Sequence, residues 1–295
     1  MLSAWLRVIR VRFLLASVVA VSTGLAVAWR YQQEVDPLDA VLTFAGVLAL
    51  HASVDMLNDF WDYKRGIDTS TRRTKMSGGT GVLPEGLLEP SAVYRAGVIS
   101  LIIGASIGVY FALTGGIVIA IILTFAILSV YFYSTRIVDS GLGETFVAIK
   151  GALIVIAACL IQTGEIIAGS IPAGIVIGVL SALVLFVASF PDHDADKSKG
   201  RKTLVIMTGK RLASRLFWVF PTFACLALIA GVILGLLPYL SLFTLLAAPL
   251  AVRTGLNLQK NYDSEDMLPC MSGALLYGRI TGVLLAGTIL LDSLL

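Results

Sequence analysis

Two short acidic segments of the chain have the residue types and the spacing to hold metal ions. Asn58 and Asp62 in "NDFWDYKRGID" lie four residues apart, and Asp192 and Asp196 in "PDHDADKSKGRKT" repeat that spacing. Residues four apart share one face of an α-helix, so each segment is expected to present two oxygen ligands side by side. Asp55, one turn earlier, is expected on the same face as the first pair.

Oxygen ligands of this kind suit Mg²⁺, which takes one or two protein carboxylates and completes its coordination with substrate phosphate oxygens. Each acidic segment is followed by basic residues that can bind phosphate: Arg72, Arg73 and Lys75 after the first, and Lys197, Lys199, Arg201 and Lys202 after the second. We interpret the combination as a diphosphate held by Mg²⁺. The alternative is that the acids only balance nearby basic loops; two similar segments favour a site.

The rest of the chain has the composition of a polytopic membrane protein. It is 57% hydrophobic and 14% charged, with a mean hydropathy of +0.90, which lies outside the range of soluble proteins. Nine stretches approach the roughly 20 apolar residues that span a bilayer. They are residues 13–30, 38–57, 94–113, 115–133, 145–163, 169–190, 212–235, 238–256 and 274–294. Continuous apolar runs without strand alternation predict an all-α bundle.

The basic residues indicate how the nine spans are oriented. With the N-terminus inside, most of them fall on the cytoplasmic side and Arg30 alone remains outside, in line with the positive-inside rule. We therefore predict a multi-pass protein of the cell membrane with a cytoplasmic N-terminus and cytoplasmic acidic segments. The net charge of +3 is then a topology signal, and no nucleic-acid partner is expected. The first span resembles a signal peptide, but its removal would reverse the sidedness downstream.

A transporter lined by charged groups is a competing interpretation, and it predicts ionisable residues near the membrane midplane. Lys150 and Arg279 are the main candidates, and both lie near enough to predicted cytoplasmic helix ends to extend towards the interface. His51 and Asp55 are expected either to line a cavity or to form a hydrogen bond between helices.

The acidic segments also resemble a known family. "NDFWD" and "DHDAD" are similar to the paired signatures of the UbiA superfamily of intramembrane prenyltransferases, and "IRVRFLLAS", "GGTGVLPEGLLEP" and "FPDHDADKSKGRKTLVIMTGKR" extend the resemblance over most of the chain. The resemblance implies nine transmembrane helices around a central cavity with a cytoplasmic cap, as a single domain over residues 1–295. Many members have an aspartate where this chain has Gly66, and here the acid follows at Asp68.

The resemblance implies a Mg²⁺-dependent transfer of a polyprenyl group from an allylic diphosphate. Asn58 and Asp62 would hold one Mg²⁺ and Asp192 and Asp196 another, while Tyr133 would lie near the reactive carbon. The residues implied to bind diphosphate are Arg12, Arg72, Arg73, Lys75, Ser134, Lys199 and Lys202, although each basic residue could instead set the topology. Asp55, Asp59 and Asp68 are further candidates for the site.

The acceptor is the least determined part of this hypothesis. "DYKRGID" and the segment "GLGETFVAIKGALIVIAACLIQTGEI" most resemble the dihydroxynaphthoate polyprenyltransferases of menaquinone synthesis. Dihydroxynaphthoate is therefore the first choice, and hydroxybenzoate, homogentisate or geranylgeranylglyceryl phosphate are alternatives. A transporter of lipid diphosphates without chemistry is also left open. In each case the expected partners are a polyprenyl diphosphate, a small lipophilic or aromatic molecule and the lipid bilayer.

Overall fold

The computed structural model of the chain describes residues 1–69, 73 and 76–295, and this part contains thirteen α-helices and no strand. The helices are α1 (Leu2–Val8), α2 (Val11–Gln32), α3 (Pro37–Lys64), α4 (Pro90–Gly115), α5 (Ile117–Phe132), α6 (Gly143–Thr163), α7 (Ser170–Ala188), α8 (His193–Ser198), α9 (Leu204–Thr208), α10 (Lys210–Leu216), α11 (Val219–Ile233), α12 (Ala248–Asn261) and α13 (Leu268–Asp292). A π-helical turn covers Tyr133–Ile137, and 3₁₀ segments cover Val138–Ser140 and Tyr239–Ala247.

Nine helical segments in the described part of the chain are long and apolar enough to cross a membrane, which confirms the predicted all-α fold and the number of spans. They are Val11–Gln32, Pro37–Lys64, Pro90–Gly115, Ile117–Ser140, Gly143–Thr163, Ser170–Ala188, Lys210–Ile233, Tyr239–Asn261 and Leu268–Asp292. In α3 the predicted apolar span ends near residue 57, whereas the helix itself runs to Lys64. The helix continues past its apolar part because Leu57, Asp59 and Asp62 are buried there by surrounding protein.

The bundle is held together by close packing of apolar side chains and of helix backbones. Phe186, Leu183 and Leu285 are among its fully buried side chains. Helices α6 and α7 approach each other closely at Gly151 and Gly178. A Cβ atom on Gly178 would lie 2.1 Å from the carbonyl oxygen of Ala148, so only glycine permits this approach.

A cap covers one end of the bundle, and we call that end the motif side because α3 ends there. The cap consists of α1 and the segment from Met76 to Glu89. Its buried apolar residues Ala4, Val8, Val82 and Leu83 pack in one cluster with Met56 of α3 and Val93 of α4. Arg7 fixes the two parts to each other, since it donates hydrogen bonds to Oε2 of Glu85 at 3.0 Å and to the carbonyl oxygen of Thr80 at 2.7 Å.

Candidate active site

A cavity of about 280 Å³ lies beneath the cap on the motif side, and both acidic segments contribute to its wall. Its ionisable and polar lining residues include Arg10, Asp55, Asn58, Asp62, Asp68, Tyr133, Lys150, Asp192, Asp196 and Arg201. Towards the middle of the bundle the wall becomes apolar, with Val54, Val130, Ile154 and Leu185. The cavity therefore has a charged end at the cap and an apolar end among the helices.

The first motif lies on regular helix at the end of α3. Asn58 donates a hydrogen bond from Nδ2 to Oδ2 of Asp62 at 3.0 Å, so the two side chains do share one face. The hydroxyl of Ser134, in the π-helical turn after α5, donates to Oδ1 of Asn58 at 2.8 Å. Ser134 is buried and is not part of the cavity wall, so in this structure it orients Asn58.

The second motif begins where α7 ends and the short helix α8 begins. Asp192 precedes α8, and the backbone N–H of Asp196 donates to its carbonyl oxygen at 2.9 Å, which places both side chains one turn apart. Oδ2 of Asp192 accepts a long hydrogen bond of 3.4 Å from the backbone N–H of Gly78, whereas its Oδ1 is buried without a hydrogen-bond partner. Burial raises the pKa of Asp192 to about 7.

Arg201 joins the two motifs. Its guanidinium donates from Nη1 to Oδ1 of Asp196 at 3.0 Å and from Nη2 to Oδ1 of Asp62, and all three side chains are buried. Burial alone would lower the pKa of Arg201, but the carboxylates of Asp62 and Asp196 raise it overall. Burial also raises the pKa of Asp196. The guanidinium is thus the counter-ion of one carboxylate from each motif.

Arg201 is one of the basic residues after the second motif that can bind phosphate, but it is not among the diphosphate ligands that the family resemblance implies. A signal for its position exists in Gly200, which has a φ of 82° directly after α8. The N–H of Arg201 bonds back to the carbonyl oxygen of Asp196 at 3.0 Å, which is the reversal that a left-handed glycine makes at a helix end. This turn brings Arg201 back over α8, while Lys199 and Lys202 on either side are exposed.

Arg10 is the second cavity-lining arginine that the sequence analysis did not select. It interrupts the helix between α1 and α2 with a φ of 46°, and its Nη2 lies 3.6 Å from Oδ1 of Asp59. Although burial lowers the pKa of Arg10, nearby carboxylates led by Asp55 raise it overall. Arg12, the residue chosen from the sequence, is exposed and is not in the cavity wall, because the break at Arg10 turns it outwards.

The remaining predicted diphosphate ligands are not in the cavity wall in this structure. Arg73 is exposed and forms an ion pair with Glu85 of the cap. Lys199 and Lys202 are exposed, as stated above. Arg72 and Lys75 lie outside the described residues, so their predicted role stays a prediction.

The three further acidic candidates occupy different places. Asp59 is buried away from the cavity, where it accepts hydrogen bonds from the N–H and the hydroxyl of Thr80 at 3.0 and 2.7 Å. Asp55 lines the cavity one turn deeper than Asn58. Asp68 also lines it, and burial, together with Asp62 and Asp59, raises the pKa of Asp68 to about 8. Gly66, with a φ of 70°, lies in the turn that brings Asp68 back towards the site.

Tyr133 lines the cavity together with the residues of the first motif. It starts the π-helical turn after α5, and π turns of this kind widen a helix by one residue. The neighbouring Tyr131 is exposed on the outside of the bundle. The ring of Tyr133 therefore faces the same cavity as Asn58 and Asp62.

The donor set of the charged end fits a hard divalent cation that shares its coordination with a ligand. Among the residues the structure describes, no three acidic, histidine or cysteine side chains form a compact metal cluster. Asp62 and Asp196 are instead both paired with Arg201. Three carboxylate oxygens of the cavity wall are nevertheless buried without hydrogen-bond partners: Oδ2 of Asp68 and Oδ1 of Asp192 near the motifs, and Oδ2 of Asp55 one turn deeper. Such oxygens are available to a cation such as Mg²⁺.

Comparison with known proteins identifies relatives over nearly the whole chain. The family described as "UbiA prenyltransferase family" matches residues 17–276. The 1,4-dihydroxy-2-naphthoate octaprenyltransferase of Escherichia coli (strain K12) is 27% identical in an alignment 299 positions long. The alignment covers 92% of this chain and 92% of that protein.

Solved structures share the fold. A UbiA homologue from Archaeoglobus fulgidus bound to GPP and Mg²⁺ superposes with a TM-score of 0.70 at 14% identity, covering 99% of this chain and 100% of that one. A structure described as a digeranylgeranylglyceryl phosphate synthase superposes with a TM-score of 0.66 at 18% identity, covering 99% and 98%. From the extent of the family match, the chain belongs to the UbiA prenyltransferase family.

Proposed function

We propose that this chain transfers a polyprenyl group from an allylic polyprenyl diphosphate to an aromatic acceptor inside the membrane, with 1,4-dihydroxy-2-naphthoate as the acceptor. The observation that carries the proposal is the shape of one cavity. Two acidic helix ends and two arginines line its charged end, and apolar side chains line the end within the bundle. A molecule with a diphosphate head and a hydrocarbon tail matches both ends.

The residues that would hold Mg²⁺ are those of the two motifs, Asn58 with Asp62 and Asp192 with Asp196. The oxygen of Asp68 that lacks a partner makes it a further ligand candidate. When bound, Mg²⁺ supplies charge that stabilises the diphosphate as a leaving group. A UbiA homologue of the same fold was solved with GPP and Mg²⁺ bound, which supports a Mg²⁺-dependent donor site in this fold.

The arginines of this chain are placed to bind the same leaving group. Arg201 and Arg10 both line the charged end, and guanidinium groups form paired hydrogen bonds to phosphate. Arg201 is held by Asp62 and Asp196 in this structure, so donor binding would let it exchange carboxylate oxygens for phosphate oxygens. The predicted contacts of Arg73, Lys199 and Lys202 would require these side chains to move from their exposed positions.

The transfer itself breaks one bond and forms another. The allylic C–O bond breaks with its electron pair going to the diphosphate, which leaves a delocalised cation on the prenyl chain. The face of Tyr133 is placed to stabilise that cation. A π-electron pair of the acceptor ring forms the new C–C bond, and the ring then releases a proton or carbon dioxide to restore aromaticity.

The membrane arrangement follows from the charge asymmetry of the loops. We infer that the motif side faces the cytoplasm of a cell membrane, since basic residues accumulate there. Residues 1–295 would then act as a single domain. The prenyl donor would place its tail in the bundle interior and its diphosphate beneath the cap.

Product analysis by mass spectrometry tests this function. The purified protein would be supplied with Mg²⁺, polyprenyl diphosphates of several lengths, and dihydroxynaphthoate, hydroxybenzoate, homogentisate or geranylgeranylglyceryl phosphate in separate reactions. The proposal expects a prenylated naphthol product. A product from geranylgeranylglyceryl phosphate alone would instead assign the chain to archaeal-type lipid synthesis. Intact donor in every reaction, despite Mg²⁺-dependent donor binding, would favour a transporter.

A further inference from the structure

A half-buried lysine lies deeper in the cavity than the two acidic motifs. Lys150 is in α6, seven residues beyond its start at Gly143, which corresponds to about 10 Å along the helix axis. Its side chain lines the main cavity and also a smaller apolar space of about 100 Å³ that adjoins it. From the sequence, Lys150 was expected to be able to extend towards the membrane interface. In the structure it lines the wall of the cavity inside the bundle.

Lys150 lacks a direct partner for its charge. It forms neither a hydrogen bond nor an ion pair with any residue that the structure describes, although it interacts electrostatically with Asp55. An ammonium group inside an apolar bundle is unfavourable unless something compensates its charge. Three unused N–H donors that face a cavity are an anion-binding feature.

The side chains opposite Lys150 are restrained. Nδ1 of His51 lies 2.6 Å from the hydroxyl of Ser17, and its Nε2 lies 3.8 Å from Oδ2 of Asp55. That oxygen of Asp55 is buried without a hydrogen-bond partner. Asp55 is therefore turned towards His51, and the charges of Lys150 and Asp55 remain separated across the cavity.

The surroundings of Lys150 select the class of anion. Phe146, one turn earlier in α6, lines the cavity and stacks on Phe125 with ring centroids 5.5 Å apart. Ile154, one turn later, also lines it. Besides Lys150, His51 and Asp55, the polar side chains in this part of the wall are the hydroxyls of Ser17 and Ser181, and the rest is apolar. A diphosphate has two arginines and the acidic motifs at the other end. A flat aromatic molecule with a single negative substituent fits here.

We propose that Lys150 binds the carboxylate of the aromatic acceptor and that this deeper part of the cavity is the acceptor subsite. The inference rests on the proposed function, since it assigns a residue of the same cavity to the second substrate. Lys150 would act as a binding and specificity residue: it would fix which ring carbon faces the reactive end of the donor at Tyr133.

Two acceptors that differ only in the carboxylate test this role. Initial rates would be measured for 1,4-dihydroxy-2-naphthoate and for 1,4-dihydroxynaphthalene with the wild type, Lys150→Met and Lys150→Arg. Loss of one charged hydrogen bond is expected to raise the KM of Lys150→Met for the carboxylate acceptor at least about 10-fold. The KM for the donor and the kinetics with the acceptor that lacks the carboxylate should change little, and Lys150→Arg should restore much of the loss.

Controls separate this inference from the proposed function. Lys260→Met removes an exposed lysine at the end of α12 and should match the wild type throughout. If 1,4-dihydroxynaphthalene is not turned over, its inhibition constant against dihydroxynaphthoate can be compared between the wild type and Lys150→Met instead. Equal losses of Lys150→Met with both acceptors, or no loss with either, would overturn the role of Lys150.

Binding of dihydroxynaphthoate, measured by isothermal titration, tests Lys150 even if no product forms. If the wild type makes no prenylated product from any acceptor, the proposed function fails. Weaker naphthoate binding by Lys150→Met than by the wild type would still support the anion site, and equal binding would overturn it.

Discussion

The wild type is expected to be stable without Mg²⁺. Replacing Arg201 by leucine should make the thermal stability of the protein depend on bound Mg²⁺. The guanidinium neutralises Asp62 and Asp196, whose side chains are 5% and 6% exposed, while Arg201 itself is 9% exposed. In Arg201→Leu, two buried carboxylates face each other without their counter-ion. Bound Mg²⁺ can take over that role, because it would neutralise the same oxygens.

The expected magnitude follows from the burial of these three groups. Removing one partner of a buried ion pair costs about 3–5 kcal/mol, because an uncompensated charge remains inside. Asp62 keeps its hydrogen bond from Asn58, so we expect a loss near 3 kcal/mol in the free energy of unfolding. For a chain of this size that corresponds to a fall in Tm of roughly 5 °C.

Thermal unfolding in detergent can be followed with a thiol-reactive dye, since Cys159 and Cys270 are buried in the folded protein. Arg201→Leu should unfold at lower temperature than the wild type in EDTA and recover most of the difference in Mg²⁺. Adding Asp62→Asn to Arg201→Leu should also raise the Tm in EDTA, because one unpaired charge is removed. Exposed Arg211→Leu is the matched control. An unchanged Tm of Arg201→Leu in EDTA would refute the bridging role.

Two further predictions concern the cavity wall, and a third concerns the cap. Because Asp192 has a pKa raised to about 7 and must be ionised to bind a cation, Mg²⁺ affinity should increase from pH 6 to pH 8; a pH-independent titration would contradict this. Gly79→Ala places a Cβ 2.3 Å from Oδ2 of Asp68 at a φ of +71°, and should raise the KM for the donor by about 10-fold or more; wild-type kinetics would show that this contact is unimportant. Asp59→Asn weakens the hydrogen bonds that Thr80 of the cap donates to Asp59, and it should increase proteolysis of the cap. An unchanged digestion pattern would show that these hydrogen bonds do not hold the cap in place.

The membrane architecture was predictable because lipid imposes strict requirements on a chain. A span needs enough apolar length and internal satisfaction of its backbone groups, and both requirements are visible in hydropathy. The end of α3 was not predictable from hydropathy, since the helix continues to Lys64 through polar residues. Those residues face protein and cavity instead of lipid, and a hydropathy window does not distinguish these environments.

The pairing of the two motifs was partly predictable. Helical spacing placed Asn58 beside Asp62, and the hydrogen bond between them agrees with this geometry. Which basic residue turns inwards depends on local backbone turns that composition does not contain. Gly200 reverses the chain so that Arg201 enters the site, and the left-handed conformation of Arg10 has no comparable glycine signal.

The choice between Arg10 and Arg12 shows the limit most clearly. Both are arginines of the same basic segment, and they differ only in their positions relative to a helix break. The break is stabilised by tertiary contacts, including the approach of Arg10 to Asp59. Neither hydropathy nor a family motif contains information about such a contact. The match to the family's opening segment favoured Arg12, which lies outside the cavity wall.

The most direct test of the central claim is diphosphate release by the purified protein with an allylic donor, an acceptor and Mg²⁺. Asp62→Asn and Asp196→Asn would be compared with Asp194→Asn, which changes an exposed aspartate of the same motif. The account predicts Mg²⁺-dependent release by the wild type and Asp194→Asn, and at least a 100-fold loss, roughly, in each of the other two. Wild-type release by folded Asp62→Asn or Asp196→Asn would contradict the claim that the two motifs form one active site.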